Sequence, residues 1–439
     1  MSNQLDRRQF TKAGVAAAGI VATGIHSRVE SANIDRNETI GVGFVGVGNR
    51  GQQLLNAFSQ HDDCKIVAAA DVFQPYLDRF QKEQGSHLYV TNEYRNLLDR
   101  ADIDAIVVAT PDHWHALQTI NAVSAGKDVY VEKPLAATIV EGQRMVKAAE
   151  KFGRVVQVGL QRRSMDSYQR LREFIQDDGA GQITVSRAYR LNNMFPDGMG
   201  RRQPASPPAG LNWDRWLGPR QVQPYQDNIA PYKFRWWQNY SSQMGNWGVH
   251  YFDVIRWILD EAAPQSAVCI GGNYAIDDDR TIPDTAEAIF ELPGGSLLVF
   301  GQYEASSTSM LDWGELELRG TMGTVHGSSS GFRVLPEKPG QFQKKGPRAE
   351  PHEVATTPAD ATADHVRDFL DCVKSRKQPR CPLIEGHRST LFAHMANISL
   401  ATGQRLTWDS EAEIFVNNKQ ANDLLHYEYR KGYVLPEFD

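Results

Sequence analysis

The sequence predicts an α/β fold in two parts. An N-terminal doubly wound domain with a parallel sheet is followed by an α+β domain with an open, mostly antiparallel sheet. Two observations lead there. From Thr39 to about Gln157, short apolar runs alternate with segments amphipathic at helical spacing, the pattern of βαβ units whose strands are covered on both faces. Beyond Gln157 the runs alternate apolar and polar residues between glycine turns, as antiparallel strands with one solvated face do. With 439 residues, 41% of them hydrophobic and 23% charged, the chain can build two cores. The expected boundaries are 1–32 for a leader, 33–157 for the first domain and 158–439 for the second.

In the first domain "TIGVGFVGVG" reads as a strand ending in glycines, and "RGQQLLNAFSQ" as a helix. "KIVAAADVF" and "DAIVVATP" are further strands. "HALQTINAVSAGK" is a helix from His115 to Lys127. "DVYVEKP" is another strand, and "TIVEGQRMVKAAEKFG" is a helix with Gly153 where a C-terminal glycine stop is expected. "VVQVGLQ" follows. In the second domain come the helix "SYQRLREFIQ", the strand "ITVSRAYRL", a Pro/Gly-rich loop and a Trp/Tyr-rich stretch. A helix "GNWGVHYFDVIRWIL" precedes the strands "EAIFEL", "SLLVFGQYEA", "GELELRG" and "TVHGS". Pro336 to Pro358, with five prolines, reads as an exposed insertion. Two helices, "DHVRDFLDCVKS" and "HRSTLFAHMANISLATG", close the chain.

"GVGNRG", Gly46 to Gly51, fits GxGxxG between a strand and a helix. Gly46, Gly48 and Gly51, with Asn49 and Arg50 among them, let backbone and a helix N-terminus approach a pyrophosphate. Asp71 ends the second strand, placed to accept from a ribose diol and repel a 2′-phosphate, so the motif reads as a Rossmann-type site for NAD, NADP being less favoured. "TPDHWHA" follows the third strand at the edge where such sheets bind ligands. Thr110, Pro111, His113 and His115 are read there either as nicotinamide contacts or, with Asp112, as helix capping. The two histidines lack carboxylates at suitable spacing, so no metal is expected. Lys133 ends the next strand in the same crevice. Pro134 disfavours the helical region for it, and its ammonium suits a substrate hydroxyl beside the cofactor. Glu132 either tunes that lysine or bonds a neighbour. In "NWGVHYFD", Asn246 and His250 lie four apart and share a helix face. His250 is read as a proton shuttle or as a core residue partnered by Asp253.

The net charge of -6 and pI of about 6.1 argue against a nucleic-acid partner. Cys64, Cys269, Cys372 and Cys381 show no zinc spacing, and spacing alone leaves a Cys372–Cys381 pairing open. The first residues, "DRRQFTKAG" before "VAAAGIVATGI", resemble a twin-arginine export signal built on Arg7 and Arg8, which implies a periplasmic or extracytoplasmic protein. Its apolar run is too short for a stable membrane span, which needs ~20 residues.

Together "GVGNRG", "ATPDHWH", "YVEKPLA" and "NWGVHYFD" resemble the glucose-fructose oxidoreductase / inositol dehydrogenase / rhizopine-catabolism (Gfo/Idh/MocA) family. The resemblance implies NAD(P)-dependent chemistry on a sugar or polyol, and a homodimer or homotetramer. It makes Lys133 the catalytic lysine and His250 the acid/base histidine. Asn246 stands where many members carry an aspartate. "GLQRRS" matches a segment entering the active site, which implies substrate contacts from Gln161, Arg162 and Arg163. Trp213, Trp236 and Trp237 are read as sugar-stacking or core residues, with Trp237 taken as a substrate contact. The expectation is hydride transfer with a tightly held cofactor. The alternatives are redox-assisted glycoside hydrolysis or elimination by bound NAD and, against the retained Lys133 and His250, a sugar-sensing protein.

Overall fold

The computed structural model describes residues 39–342, 346–357 and 359–438. The twin-arginine segment lies outside them. The first sheet is built from β1 (Ile40–Val45), β2 (Cys64–Ala70), β3 (Tyr89–Thr91), β4 (Ala105–Val108), β5 (Asp128–Val131) and β6 (Val156–Val158). Its order is β3-β2-β1-β4-β5-β6, all parallel, so the chain reverses direction across the sheet between β1 and β4. The helices α1 (Asn49–Phe58), α2 (Gln74–Gln84), α3 (Arg95–Leu98), α4 (Asp112–Ser124) and α5 (Ile139–Phe152) connect the strands. Every residue of β1, β4, β5 and β6 is buried, which is why these strands are mostly apolar, with Asp128 and Gln157 as buried polar exceptions. Thr138 caps α5 by accepting from the Glu141 N–H, and Gly153 ends it in the left-handed region, as expected. The α4 helix begins at Asp112, a turn earlier than the apolar pattern indicated.

The second sheet holds β7 (Ile183–Asn193), β8 (Ser266–Gly272), β9 (Thr285–Leu292), β10 (Ser296–Tyr303), β11 (Ala305–Ser306), β12 (Leu316–Gly320), β13 (Gly323–Ser328), β14 (Gly331–Pro336), β15 (His352–Ala355), β16 (Leu406–Asp409) and β17 (Ile414–Phe415). It is antiparallel apart from the β7–β10 pair, which runs parallel. The segment expected to be an exposed insertion carries β15, which pairs with β14 at the sheet edge. The helices here are α6 (Asp166–Gln176), α7 (Trp213–Leu217), α8 (Val249–Ile258), α9 (Ala361–Ser375), α10 (Leu383–Thr402) and α11 (Lys419–Asn422). Rings from α8, α10 and the sheet make the core: Phe252 meets Phe290 at 5.3 Å and Phe300 at 5.2 Å, and Phe290 meets Phe392 at 5.1 Å. The helix expected from Gly245 is in part a π-helical turn, Met244–Gly248, running into α8. All four cysteines are free thiols, Cys372 and Cys381 included.

Candidate active site

Strand register brings the site together. Val45 pairs with Ala70 on one side and Val108 on the other, Val108 with Val131, and Val131 with Val158. The carboxyl ends of these strands therefore form one row, and the residues just past them, Gly46, Asp71, Thr110 and Lys133, share one edge. A cleft of about 570 Å³ opens there.

The glycine turn is shaped for close approach. Gly46 has φ +89°, and a Cβ on it would come within 2.8 Å of the Ala109 carbonyl. A Cβ on Gly51 would stand 2.2 Å from the Gly46 carbonyl oxygen, so α1 can sit against the turn only with glycine there. Gly48 precedes α1 without a side-chain cap, which leaves the first-turn N–H groups for a ligand. Asp71 accepts from the Val47 N–H at 2.9 Å and the Phe73 N–H at 3.0 Å, and burial pushes its carboxyl up to about 6 against those bonds. Gly46, Gly48, Asn49, Arg50, Asp71, Thr110, Pro111 and Glu132 all line the cleft. These features fit a dinucleotide: a pyrophosphate at the helix N-terminus and a diol at Asp71.

At the other end Lys133 Nζ donates to the Asn246 backbone oxygen at 2.7 Å and to its Oδ1 at 3.1 Å. The Lys133–Pro134 peptide is cis. Burial lowers the Lys133 ammonium to about 8; the charges of Glu132 and Asp112 oppose that fall, and those of Arg235 and Arg50 add to it. Glu132 is buried and accepts from Arg50 Nε at 2.7 Å, so it both bonds a neighbour and acts on the lysine. His250 faces the same cleft with no hydrogen-bond partner at Nδ1. Burial, then the charges of Lys133, Arg162 and Arg50, hold its imidazole well below the ordinary value, so it is neutral.

Other expected site residues are placed elsewhere. His113 is fully buried with Nε2 2.9 Å from the Trp216 carbonyl oxygen, and burial lowers it to about 3. His115 has both ring nitrogens 2.8 Å from backbone oxygens, those of Pro134 and Thr110, and ties the two strand ends together behind the cleft. Gln161 lines the cleft with Oε1 unpartnered, but Arg162 pairs with Glu315 and Arg163 with Asp253 and Glu385, away from it. Asp253 is thus the partner of Arg163 and not of His250. Trp213 and Trp237 donate to the Gln223 and Asn228 carbonyl oxygens, and Trp236 to Glu304; none of the three lines the cleft.

Trp247, which the sequence did not single out, lines the cleft with the Arg190 guanidinium over its ring at 4.0 Å. Its only sequence signal is its place inside "NWGVH". Asp112 also lines the cleft, accepts from Ser241 Oγ and is raised by burial. Capping accounted for its side chain in the sequence, although its segment was placed at the ligand-binding edge.

The glycine turn, Asp71 and the cleft fit a dinucleotide, with a lysine and a neutral histidine at the far end. The family comparison agrees. Residues 40–160 match the NAD-binding Rossmann fold of the Gfo/Idh/MocA oxidoreductase family, and residues 170–285 and 341–435 match that family's C-terminal alpha/beta domain. The chain belongs to this family. Its fold is shared by levoglucosan dehydrogenase solved with NADH and levoglucosan (TM-score 0.65, 16% identity, covering 87% of this chain and 100% of that one). It is also shared by the WlbA dehydrogenase of Bordetella pertussis solved with NADH and UDP-GlcNAcA (TM-score 0.64, 20% identity, covering 85% and 99%). An alpha-N-acetylgalactosaminidase of Shewanella oneidensis is 31% identical over 173 residues, 34% of this chain. The match spans 38% of that relative's length.

Proposed function

We propose that the protein oxidises or reduces a hydroxyl of a sugar or polyol by hydride transfer, with NAD retained through turnover. The observation that carries this is the pairing of Lys133 with two oxygens of Asn246 beside His250, at the edge where the strands end. Bound NAD would supply the hydride acceptor. The two Asn246 oxygens engage two of the three Nζ positions and leave the third for substrate. That third position is an N–H when Lys133 is charged and a lone pair when it is neutral, so Lys133 takes up or returns the hydroxyl proton. Neutral His250 orients the same hydroxyl, and Trp247 offers a face for the sugar ring.

The pH dependence follows with its sign. Burial disfavours the ammonium, so Lys133 loses its proton above about 8. Oxidation, which needs the amine as base, is expected to quicken as pH rises through about 8. Reduction, which needs the ammonium as donor, is expected to slow over the same interval. No second inflection from His250 is expected near the ordinary imidazole value. The test is to release cofactor by denaturation, then to screen sugars and polyols against pH while following reduced nicotinamide and glycosidic products together.

A second reading draws on the sequence match to the alpha-N-acetylgalactosaminidase and to glycosyl hydrolase family 109 proteins. In it the sugar is oxidised transiently, loses the acidified neighbouring proton and releases its glycosidic substituent; water then adds across the double bond and the carbonyl is reduced again by the NADH formed. Glycoside cleavage at constant cofactor redox state would select that reading over net redox.

We further propose export by the twin-arginine route and a homodimer or homotetramer. The exposed sheet residues Ile270, Ile289 and Leu297 are consistent with a face that pairs. Replacing Arg7 and Arg8 by lysine is expected to leave the protein in the cytoplasmic fraction. Unchanged periplasmic recovery would remove the export proposal.

A further inference from the structure

The cofactor residues considered so far all lie in the first domain, yet the cleft has a second wall. Leu211, Asp214, Arg215 and Trp216, all from the second domain, line it beside Phe73, Tyr76 and the loop from Asn92 to Arg95. This wall is joined by backbone to the turn that follows Asp71. Leu211 and Phe73 form an antiparallel bridge, the Gln74 N–H donates to the Gly210 oxygen at 2.9 Å, and the Asn212 N–H donates to the Val72 oxygen at 2.9 Å. On its other side Arg215 Nη1 donates to the Asn92 backbone oxygen at 2.8 Å and to Asn92 Oδ1 at 2.6 Å. The segment therefore spans from the residue after Asp71 to the loop after β3.

The wall is also backed firmly. Trp213 and Trp216 stack at 4.8 Å, and Trp216 meets Tyr240 at 4.9 Å. From the C-terminal tail, Arg430 pairs with Asp214 at 2.6 Å and donates through Nη2 to the Asp214 backbone oxygen at 2.7 Å. Tyr433, from the same tail, reaches the cleft and packs edge-on to Trp114 at 5.7 Å. A segment held at both edges and from behind is a fixed surface.

We infer that residues 208–217 form the outer wall of the adenosine subsite, so that the AMP half of the dinucleotide is bound between the two domains. The inference rests on the NAD reading above. Leu211 covers the apolar side of the adenine, and the Arg215–Asn92 tether closes the exit past the ribose. An enclosed adenosine leaves slowly, which suits an enzyme that keeps its cofactor between turnovers.

The test uses the full-length protein freed of cofactor, with AMP, NMN and NADH as separate probes. In the Leu211→Ala/Arg215→Ala variant, AMP affinity is expected to fall roughly tenfold and NADH to dissociate faster by the same factor, while NMN binds as in the wild type. Asn92→Ala removes the Oδ1 half of the same tether from the first domain, so it should hasten NADH release, by a smaller factor, even if the double variant misfolds. Unchanged AMP affinity and NADH dissociation in either folded variant would overturn the inference alone. A wild-type protein that binds neither AMP nor NADH would overturn the NAD reading and the inference with it.

Discussion

Replacing Lys133 by methionine is expected to lower kcat by about 10²–10⁴-fold, the usual worth of a positioned acid/base group. Methionine keeps the length of the stem and removes the nitrogen. The loss should therefore fall on turnover while NADH binding, which depends on the glycine turn and Asp71, stays near that of the wild type. At the reacting end of the cleft Lys133 titrates, lowered to about 8 by burial, whereas His250 is held neutral. The slow residual activity of the variant should accordingly lack the inflection near 8 that the parent shows. Steady-state kinetics across pH, with NADH titration by fluorescence, measures both. Undiminished turnover in a folded Lys133→Met protein would remove Lys133 from the mechanism under either reading of the reaction.

What the sequence disclosed depended on how local each signal was. The row formed by Gly46, Asp71 and Lys133 was legible because each residue ends an apolar run and parallel strands bring such ends together. His250 and Asn246 were legible because four residues of helix bring two side chains to one face. The arginines of "GLQRRS" were not, since a neighbouring motif says nothing about a partner far along the chain. Arg162 meets Glu315 153 residues away, and Arg163 meets Asp253 90 residues away. His113 is another case: its burial comes from Trp216 and Tyr240, which follow more than a hundred residues later in the chain. That Trp213, Trp236 and Trp237 lie outside the cleft was hidden for the same reason. Trp213 and Trp237 stand in a conspicuous aromatic run, but that run packs on itself, and of its tryptophans Trp216 lines the cleft, together with Trp247 from outside the run. The wall at Leu211 and Arg215 has no sequence pattern at all, because a backbone bridge to Val72 and Gln74 puts it there.

Replacing Arg163 by leucine is expected to cost about 3–5 kcal/mol of stability, the range for breaking a buried ion pair by removing one partner. The Arg163 and Asp253 side chains are 3% and 1% exposed, and the pair makes three hydrogen bonds between 2.7 and 3.1 Å. Without the guanidinium, Asp253 keeps only Ser389 Oγ at 2.7 Å among these partners, too little to offset a buried negative charge. Glu385 retains Arg256 and Arg388, so the damage centres on Asp253. Removing the stranded carboxylate as well should recover much of the loss. The Arg163→Leu/Asp253→Leu double variant is therefore expected to be more stable than Arg163→Leu alone. Urea denaturation reads these differences, and KM for the substrate reads the competing role. Arg163 does not line the cleft, so KM of the folded fraction should stay unchanged. A raised KM with an unmoved denaturation midpoint would return Arg163 to the substrate and show that the buried pair contributes little to holding α8 against the turn that carries Gln161.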